Sequence, residues 1–348
     1  MRENHNYPSV GFLANPSSGH DMRRLVSNAE TVTHLVKVNR IARVMSGLRA
    51  YGPCRVLFMP ERLGLVQSAF ESLTSLNRNG SFQKGLEVQP VEITPKGIPN
   101  DTRETARIMR ESGCSLLITF GGDGTNRLVA MESGKVPLLP IAAGTNNIFP
   151  LPCEATQAGL AAATFLKILL MEVGKKSAGF SKKLVHQHKL LQAETDSWSE
   201  NALIDLAISR QATLGGRAVW DADWLQAIFV TRCSPGASGL CGIPGAAMDI
   251  SALEPYGAAA FLGNRFSVQA ILTAGTVQSV GLKSVDRLEM NQICSVEVKE
   301  GTLLADGERV RELRNQKVRI KLQNTGPMVL DIEATLNEGL KQGYLKTG

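Results

Sequence analysis

Apolar positions along the first 150 residues fall into two alternating textures. Short apolar runs at "SVGFLA" (9–14), "CRVLFMP" (54–60), "LEVQPVEIT" (86–94), "SLLITF" (115–120) and "VPLLPIAA" (136–143) read as strands. Between them the apolar residues recur at three and four. These stretches are "RRLVSNA" (23–29), "VTHLVKVNRIARVMSGLRAYG" (32–52, closed by Gly52), "LGLVQSAFESLTSL" (63–76) and "NDTRETARIMRESG" (100–113), the last begun by a capping Asp101 or Thr102. Strand and helix in alternation predict a doubly wound α/β layer: a parallel sheet with crossover helices.

Past a helix at 154–171 the texture changes. "KLVHQHKLLQAET", "NALIDLAISRQ", "LQAIFVTRC", "FSVQAILTAG", "CSVEVKEG", "KVRIKLQ" and "MVLDI" are short β-type pieces separated by turn residues, several alternating apolar with polar. They predict an antiparallel β-sandwich. Two domains follow, 1–150 and 151–348, with the last residues free to return to the first. The glycine-rich "SPGASGLCGIPGAA" (234–247) reads as a mobile or ligand-facing loop.

Composition narrows the class. Hydrophobic residues make up 43% of the 348 and charged residues 20%, which excludes a disordered polymer. The longest apolar stretch, 158–171, is short of the roughly 20 residues a membrane span needs, so no stable membrane insertion is expected. The N-terminus lacks a signal-peptide pattern, and six scattered cysteines show no metal-binding spacing; a cytoplasmic chain with reduced thiols is expected. The net charge of +6 comes without a basic run interleaved with aromatics, so no nucleic-acid partner is expected.

The glycine-bearing turns carry the chemistry. "NPSSG" (15–19), "GGDGT" (121–125) and "AAGTNN" (142–147) each follow a strand, and in a parallel sheet they share the carboxyl edge where ligands bind. Gly121, Gly122 and Gly124 lack Cβ atoms and permit positive φ, so backbone N–H groups there can converge on a phosphate. Asp123 in such a cradle needs a proton, a metal or an attacking hydroxyl to offset its charge. The alternative is a plain turn with Asp123 capping the next helix. Residue chemistry alone leaves both open. His186 and His188 could form half a metal site. Trp220 and Trp224 could stack on a base, and Asp221 with Asp223 could hold a metal, but packing and solvent account for them as well.

The motifs in order resemble the superfamily that unites NAD kinases with diacylglycerol and sphingosine kinases. "GGDGT" and "GTNNIFP" (144–150) are its signature, while "NPSSG" and "DGE" (306–308) are similar to its lipid-kinase branch. The whole pattern most resembles the acetoin catabolism protein X group of the ATP-NAD kinase family. That likeness implies a Rossmann-like first domain, a β-rich acceptor domain, and ATP-dependent phosphoryl transfer to a hydroxyl, with a link to bacterial acetoin catabolism. ATP would be held by Asn15, Ser17, Gly19, Gly121, Gly122, Gly124, Thr125, Thr145 and Asn146. Asp123 would take the acceptor proton, Asp306 and Glu308 would organise Mg2+, and Asp205 would meet the substrate. The Asn-Glu pair that grips the dinucleotide in NAD kinases falls at Ile204 and Asp205, and "CGIPGAAMD" (241–249) offers no hydroxyl. The acceptor is therefore a small molecule or nucleotide, with NAD one candidate. A lipid kinase and a nucleotide-binding regulator without turnover are the alternatives, and a homo-oligomer is expected.

Overall fold

The computed structural model describes residues 7–16, 32–76, 85–143, 147–150, 152–172, 181–211 and 222–346. The first layer runs β1 (Ser9–Ala14), α1 (His34–Leu48), β2 (Cys54–Phe58), α2 (Leu65–Leu76), β3 (Leu86–Pro90), α3 (Pro99–Glu111), β4 (Leu116–Gly121), α4 (Asp123–Ser133), β5 (Leu138–Ala142) and α5 (Ala155–Glu172). The short α6 (Ser181–Leu184) leads into β6 (Val185–Gln187). The second layer is β7 (Leu190–Glu194), β8 (Ser199–Ala202), β9 (Asp205–Ser209), β10 (Leu225–Val230), α7 (Gly242–Gly245), β11 (Tyr256–Thr273), β12 (Thr276–Glu289), β13 (Ile293–Ala305) and β14 (Glu308–Gln323). The chain ends with β15 (Met328–Leu330) and α8 (Ile332–Lys341).

The first sheet has the order β3-β2-β1-β4-β5-β15-β6. Pairing is parallel from β3 through β15, with Val10 opposite both Val56 and Leu116, and β6 alone runs antiparallel. β4 is buried at every position, as a central parallel strand covered on both faces must be. α1 starts where Thr33 Oγ1 accepts the Val36 N–H. The end expected at Gly52 is realised by a short 3-10 turn and a glycine at φ 118°. α3 starts differently from the sequence expectation. Ile98 is the N-cap, Pro99 takes the first turn, and Asp101 reaches back from inside the helix to accept the N–H groups of Lys96, Gly97 and Ile98.

The second layer is one continuous eight-stranded sheet, in the order β12-β11-β10-β9-β13-β14-β7-β8. It gives sandwich-like packing by curling. One apolar cluster, with Leu206, Phe229, Leu303 and Ile320, contains residues of this sheet alone, so that face closes on itself. The opposite face merges with the first domain: Leu13, Met109, Leu117, Val129 and Phe149 share a cluster with Ile204, Ile228, Val230, Ile243 and Leu304. The two layers thus share a core. β12, unread in the sequence, pairs along the length of β11 on the sheet's edge with many positions exposed, so its pattern carries little apolar signal.

Two expectations are corrected here. α5 packs into the first core through Ala158, Ala162 and Phe165, and β6 joins the first sheet, so the chain crosses to the β layer near His188–Lys189, not at 150. The sheet needs that helix to cover its α1 face. It returns through β15, which pairs with β5, and α8, capped by Asp331 accepting the Ala334 N–H. The glycine-rich 234–247 is mostly packed: Leu240, Cys241 and Ile243 are buried. A Cβ on Gly245 would lie 2.2 Å from the Ser234 carbonyl oxygen, so its glycines serve close backbone approach. Among the described residues no helix is long and apolar enough to cross a membrane.

Candidate functional site

The strand-to-helix turn of GGDGT is fixed by two buried polar side chains. Asn126, completely buried, donates from Nδ2 to the Gly122 carbonyl (2.9 Å) and accepts the Thr119 hydroxyl (2.5 Å). Thr125 Oγ1 accepts from Asn15 Nδ2 at 2.8 Å, which ties the loop after β1 to the one after β4. Behind that loop the buried Lys37 donates from Nζ to the Pro16 carbonyl at 2.7 Å, and burial lowers its pKa. Asn126 and Lys37 were missed in the sequence because a single Asn or Lys in a helical pattern carries no signal.

The three motif glycines are present for space. None has positive φ; Gly122 lies at φ −90° and caps α4 with its backbone. A Cβ on Gly121 would meet Thr125 at 2.7 Å, on Gly122 the Asn147 Oδ1 at 3.2 Å, and on Gly124 the Glu308 Oε1 at 2.8 Å. Each notch is filled by a side chain of this protein.

Asp123 does not cap its own helix through its side chain. Its carboxylate accepts the N–H groups of Ile148 (3.1 Å) and Phe149 (2.8 Å), so it pins the segment after GTNN against α4. The residue keeps partial solvent access while its carboxyl lies deep among protein atoms; that desolvation, with Asp306 nearby, raises its pKa to about 6 against the pull of the two N–H donors.

"DGE" is a hairpin turn. Asp306 (φ 50°) and Gly307 (φ 74°) form the two-residue turn between β13 and β14 with both central residues left-handed, as type I′ geometry requires. The turn carries the Asp306 side chain inward, where it accepts N–H groups of Leu203, Ile204 and Asp205 at 3.1, 2.7 and 3.3 Å. Burial raises its pKa, with Arg127 opposing. Asp205 braces the same turn: its carbonyl accepts the Asp306 N–H and its Oδ1 the Gly307 N–H. Arg127, unread in the sequence, places Nε 3.5 Å from Asp306 and Nη2 3.3 Å from Glu308. A cleft of about 390 Å3 opens beside it, lined by Pro99, Arg103, Arg127, Asn201, Glu308 and Arg309; Asp123 does not line it.

Those contacts bear on Mg2+. A magnesium ion asks for a near-octahedral set of oxygens, whereas both acids of "DGE" face a guanidinium and Asp306 already serves three N–H donors. Among the described residues no group of three or more His, Cys, Asp or Glu could hold a metal ion. The pair as arranged does not fit Mg2+. His186 and His188 do not share a metal either: His186 Nε2 meets Asp331 at 3.1 Å, and His188 Nδ1 accepts from Arg232 at 2.9 Å. All six cysteines are free. Ser17, Gly19, Thr145, Asn146, Trp220 and Asp221 lie outside the described residues. Trp224 and Asp223 sit in a short 3-10 turn before β10, with Asp223 exposed.

The sequence model of the ATP-NAD kinase N-terminal domain matches residues 10–167, and that of the acetoin catabolism protein X C-terminal domain matches 189–325. The second match begins and ends where the chain enters and leaves the β layer. Acetoin catabolism protein X of Cupriavidus necator is 30% identical over 306 residues, which span 87% of this chain and 84% of that relative.

Proposed function

Because this chain belongs to the acetoin catabolism protein X family, with an NAD kinase-like first domain, we propose that it transfers the γ-phosphoryl group of ATP to a hydroxyl of a small acceptor. One observation carries the reading: the buried carboxyl of Asp123, with a pKa of about 6, stands where the GGDGT turn meets the second domain. At neutral pH such a carboxyl is ionised yet more basic than an exposed aspartate, which suits a proton acceptor. In the step, the acceptor oxygen bonds to the γ-phosphorus, the bond from that phosphorus to the β,γ-bridging oxygen breaks to release ADP, and the hydroxyl proton passes to Asp123. Catalysis of this kind rests on positioning and charge.

The NAD kinase family uses ATP and a divalent metal, and the linked Asn15–Thr125 pair with Lys37 behind it supports a phosphate-binding role for the edge formed by β1 and β4. No step is drawn through a metal at Asp306 and Glu308. For the acceptor, the wholly buried Ile204 and the hydroxyl-free 241–249 argue against the polar grip that NAD would need.

The second reading is a nucleotide-binding regulator without turnover. It is favoured by one specific feature, the filling of all three glycine notches by Thr125, Asn147 and Glu308. Measuring ADP release against a panel of hydroxylated metabolites, with Asp123→Asn as control, separates the two. Turnover lost in the variant supports the proton-acceptor role, turnover that survives removes Asp123 from it, and tight ATP binding with no turnover on any acceptor favours regulation.

A further inference from the structure

Arg232, two residues past β10, is the second guanidinium at this junction. Its Nη2 donates to His188 Nδ1 at 2.9 Å, and its Cζ stands 5.5 Å from the centre of the Phe149 ring, the residue whose N–H holds Asp123. His188 meets the same ring edge-on at 5.5 Å, so three side chains form one wall beside the carboxylate. Among the described residues no carboxylate lies within ion-pair distance of Arg232, and its Nε is buried with no hydrogen-bond partner. A buried donor without a partner costs about 1–3 kcal/mol, more for a charged group, and such exceptions usually have a ligand or a function behind them.

The charges of Asp123 and Asp306 are felt at Arg232, but neither acid pairs with it. Burial and the Arg232 charge draw the His188 pKa down to about 3, so the ring is neutral. Because its Nδ1 accepts, its proton sits on Nε2, a second donor beside the guanidinium. Lys189 spends its ammonium on the carbonyls of Ser251 and Tyr256, not on an acid.

We infer that Arg232, backed by His188 and Phe149, is an anion subsite on the acceptor side of Asp123, and that the acceptor is an alcohol bearing a carboxylate or a phosphate. The inference rests on the phosphotransferase reading and narrows its substrate class. A planar guanidinium with Nε unspent matches the paired oxygens of either anion. Arg232 would hold the acceptor's charged end while its hydroxyl faces Asp123, which makes it a specificity residue for binding.

Calorimetry without ATP tests this on the full chain, with glycerate, glycerol 3-phosphate and glycerol as probes that differ in carrying a carboxylate, a phosphate or neither. The native chain should bind at least one of the two anions about 10- to 100-fold more tightly than glycerol, the worth of a hydrogen bond to a charged group; which of them wins distinguishes carboxylate from phosphate. Arg232→Gln should abolish that preference, and Arg232→Lys should keep it at reduced affinity. Equal affinity for the three probes, no binding of either anion by the native chain, or a preference that survives Arg232→Gln overturns the inference. Because the native chain is compared across probes, a variant that folds poorly does not spare it. Anion preference here, together with no turnover on any acceptor of the metabolite panel, would sink the kinase reading and leave the subsite standing.

Discussion

Arg127, one turn into α4 of the first domain, and Asp306, at the tip of the β13–β14 hairpin of the second, face each other with Nε 3.5 Å from Oδ2. The carboxylate side chain is wholly removed from solvent and the guanidinium nearly so. The pair fastens the signature helix of one layer to the signature turn of the other.

Removing one member leaves a buried charge without its partner. Arg127→Met should destabilise the chain by about 3–5 kcal/mol in urea unfolding. Adding Asp306→Asn should recover part of the loss, so the double variant falls short of the sum of the singles. Strict additivity would show that the two groups do not interact.

Asp123 gives a pH signature with a definite sign. Its folded pKa of about 6 lies above the ordinary 3.8, so the unfolded chain gives up this proton first and stability falls as pH rises between the two values. The loss from this group is about 3 kcal/mol, present in full above pH 6. Asp123→Asn cannot ionise, so its stability relative to the native chain should improve by up to that amount from pH 4 to pH 7. Phosphoryl transfer by the native chain should rise through pH 6, and the variant should lose about 100-fold or more.

The glycines of the motif should differ from one another in cost. Gly121→Ala drives a Cβ to 2.7 Å from the Thr125 Cβ, which a hydrogen bond to Asn15 helps hold, so about 1–3 kcal/mol should be lost. Gly124→Ala meets only the end of the half-exposed Glu308, which can swing aside, so the loss should stay below about 1 kcal/mol. Thermal unfolding of the two variants ranks them; the reverse order would contradict the geometry.

Arg127 also predicts how the "DGE" acids treat metal. Titration of the nucleotide-free chain with Mn2+, followed by electron paramagnetic resonance, should reveal no site that Glu308→Gln removes. A Glu308-dependent site would mean that the guanidinium yields to the cation.

The sequence made some of this legible. A both-faces-buried strand running into three glycines located the turn correctly, because burial of a parallel strand leaves an unbroken apolar run. The reason for the glycines was another matter: positive φ is a local property, whereas their actual neighbours Asn147 and Glu308 come from distant chain. "DGE" was read for its acids, yet a left-handed Asp-Gly turn is what aims Asp306 inward. The 234–247 stretch misled because glycine-rich text looks the same whether its backbone is loose or packed against another backbone. Arg127, Arg232 and Lys37 gave no sign, as an isolated basic residue reads as surface until its surroundings are known.

The return of β15 and α8 to the first sheet sets an order of assembly. A chain emerging from the ribosome presents nearly all of the α/β layer early, but β6 must wait for β15, its neighbour in that sheet among the described residues, and β5 lacks a flank until the whole β layer has been made. The half that begins synthesis is therefore the last to close. Its completion reports that the inserted half has already been delivered, which leaves little opportunity for a released α/β fragment to pass as a finished protein.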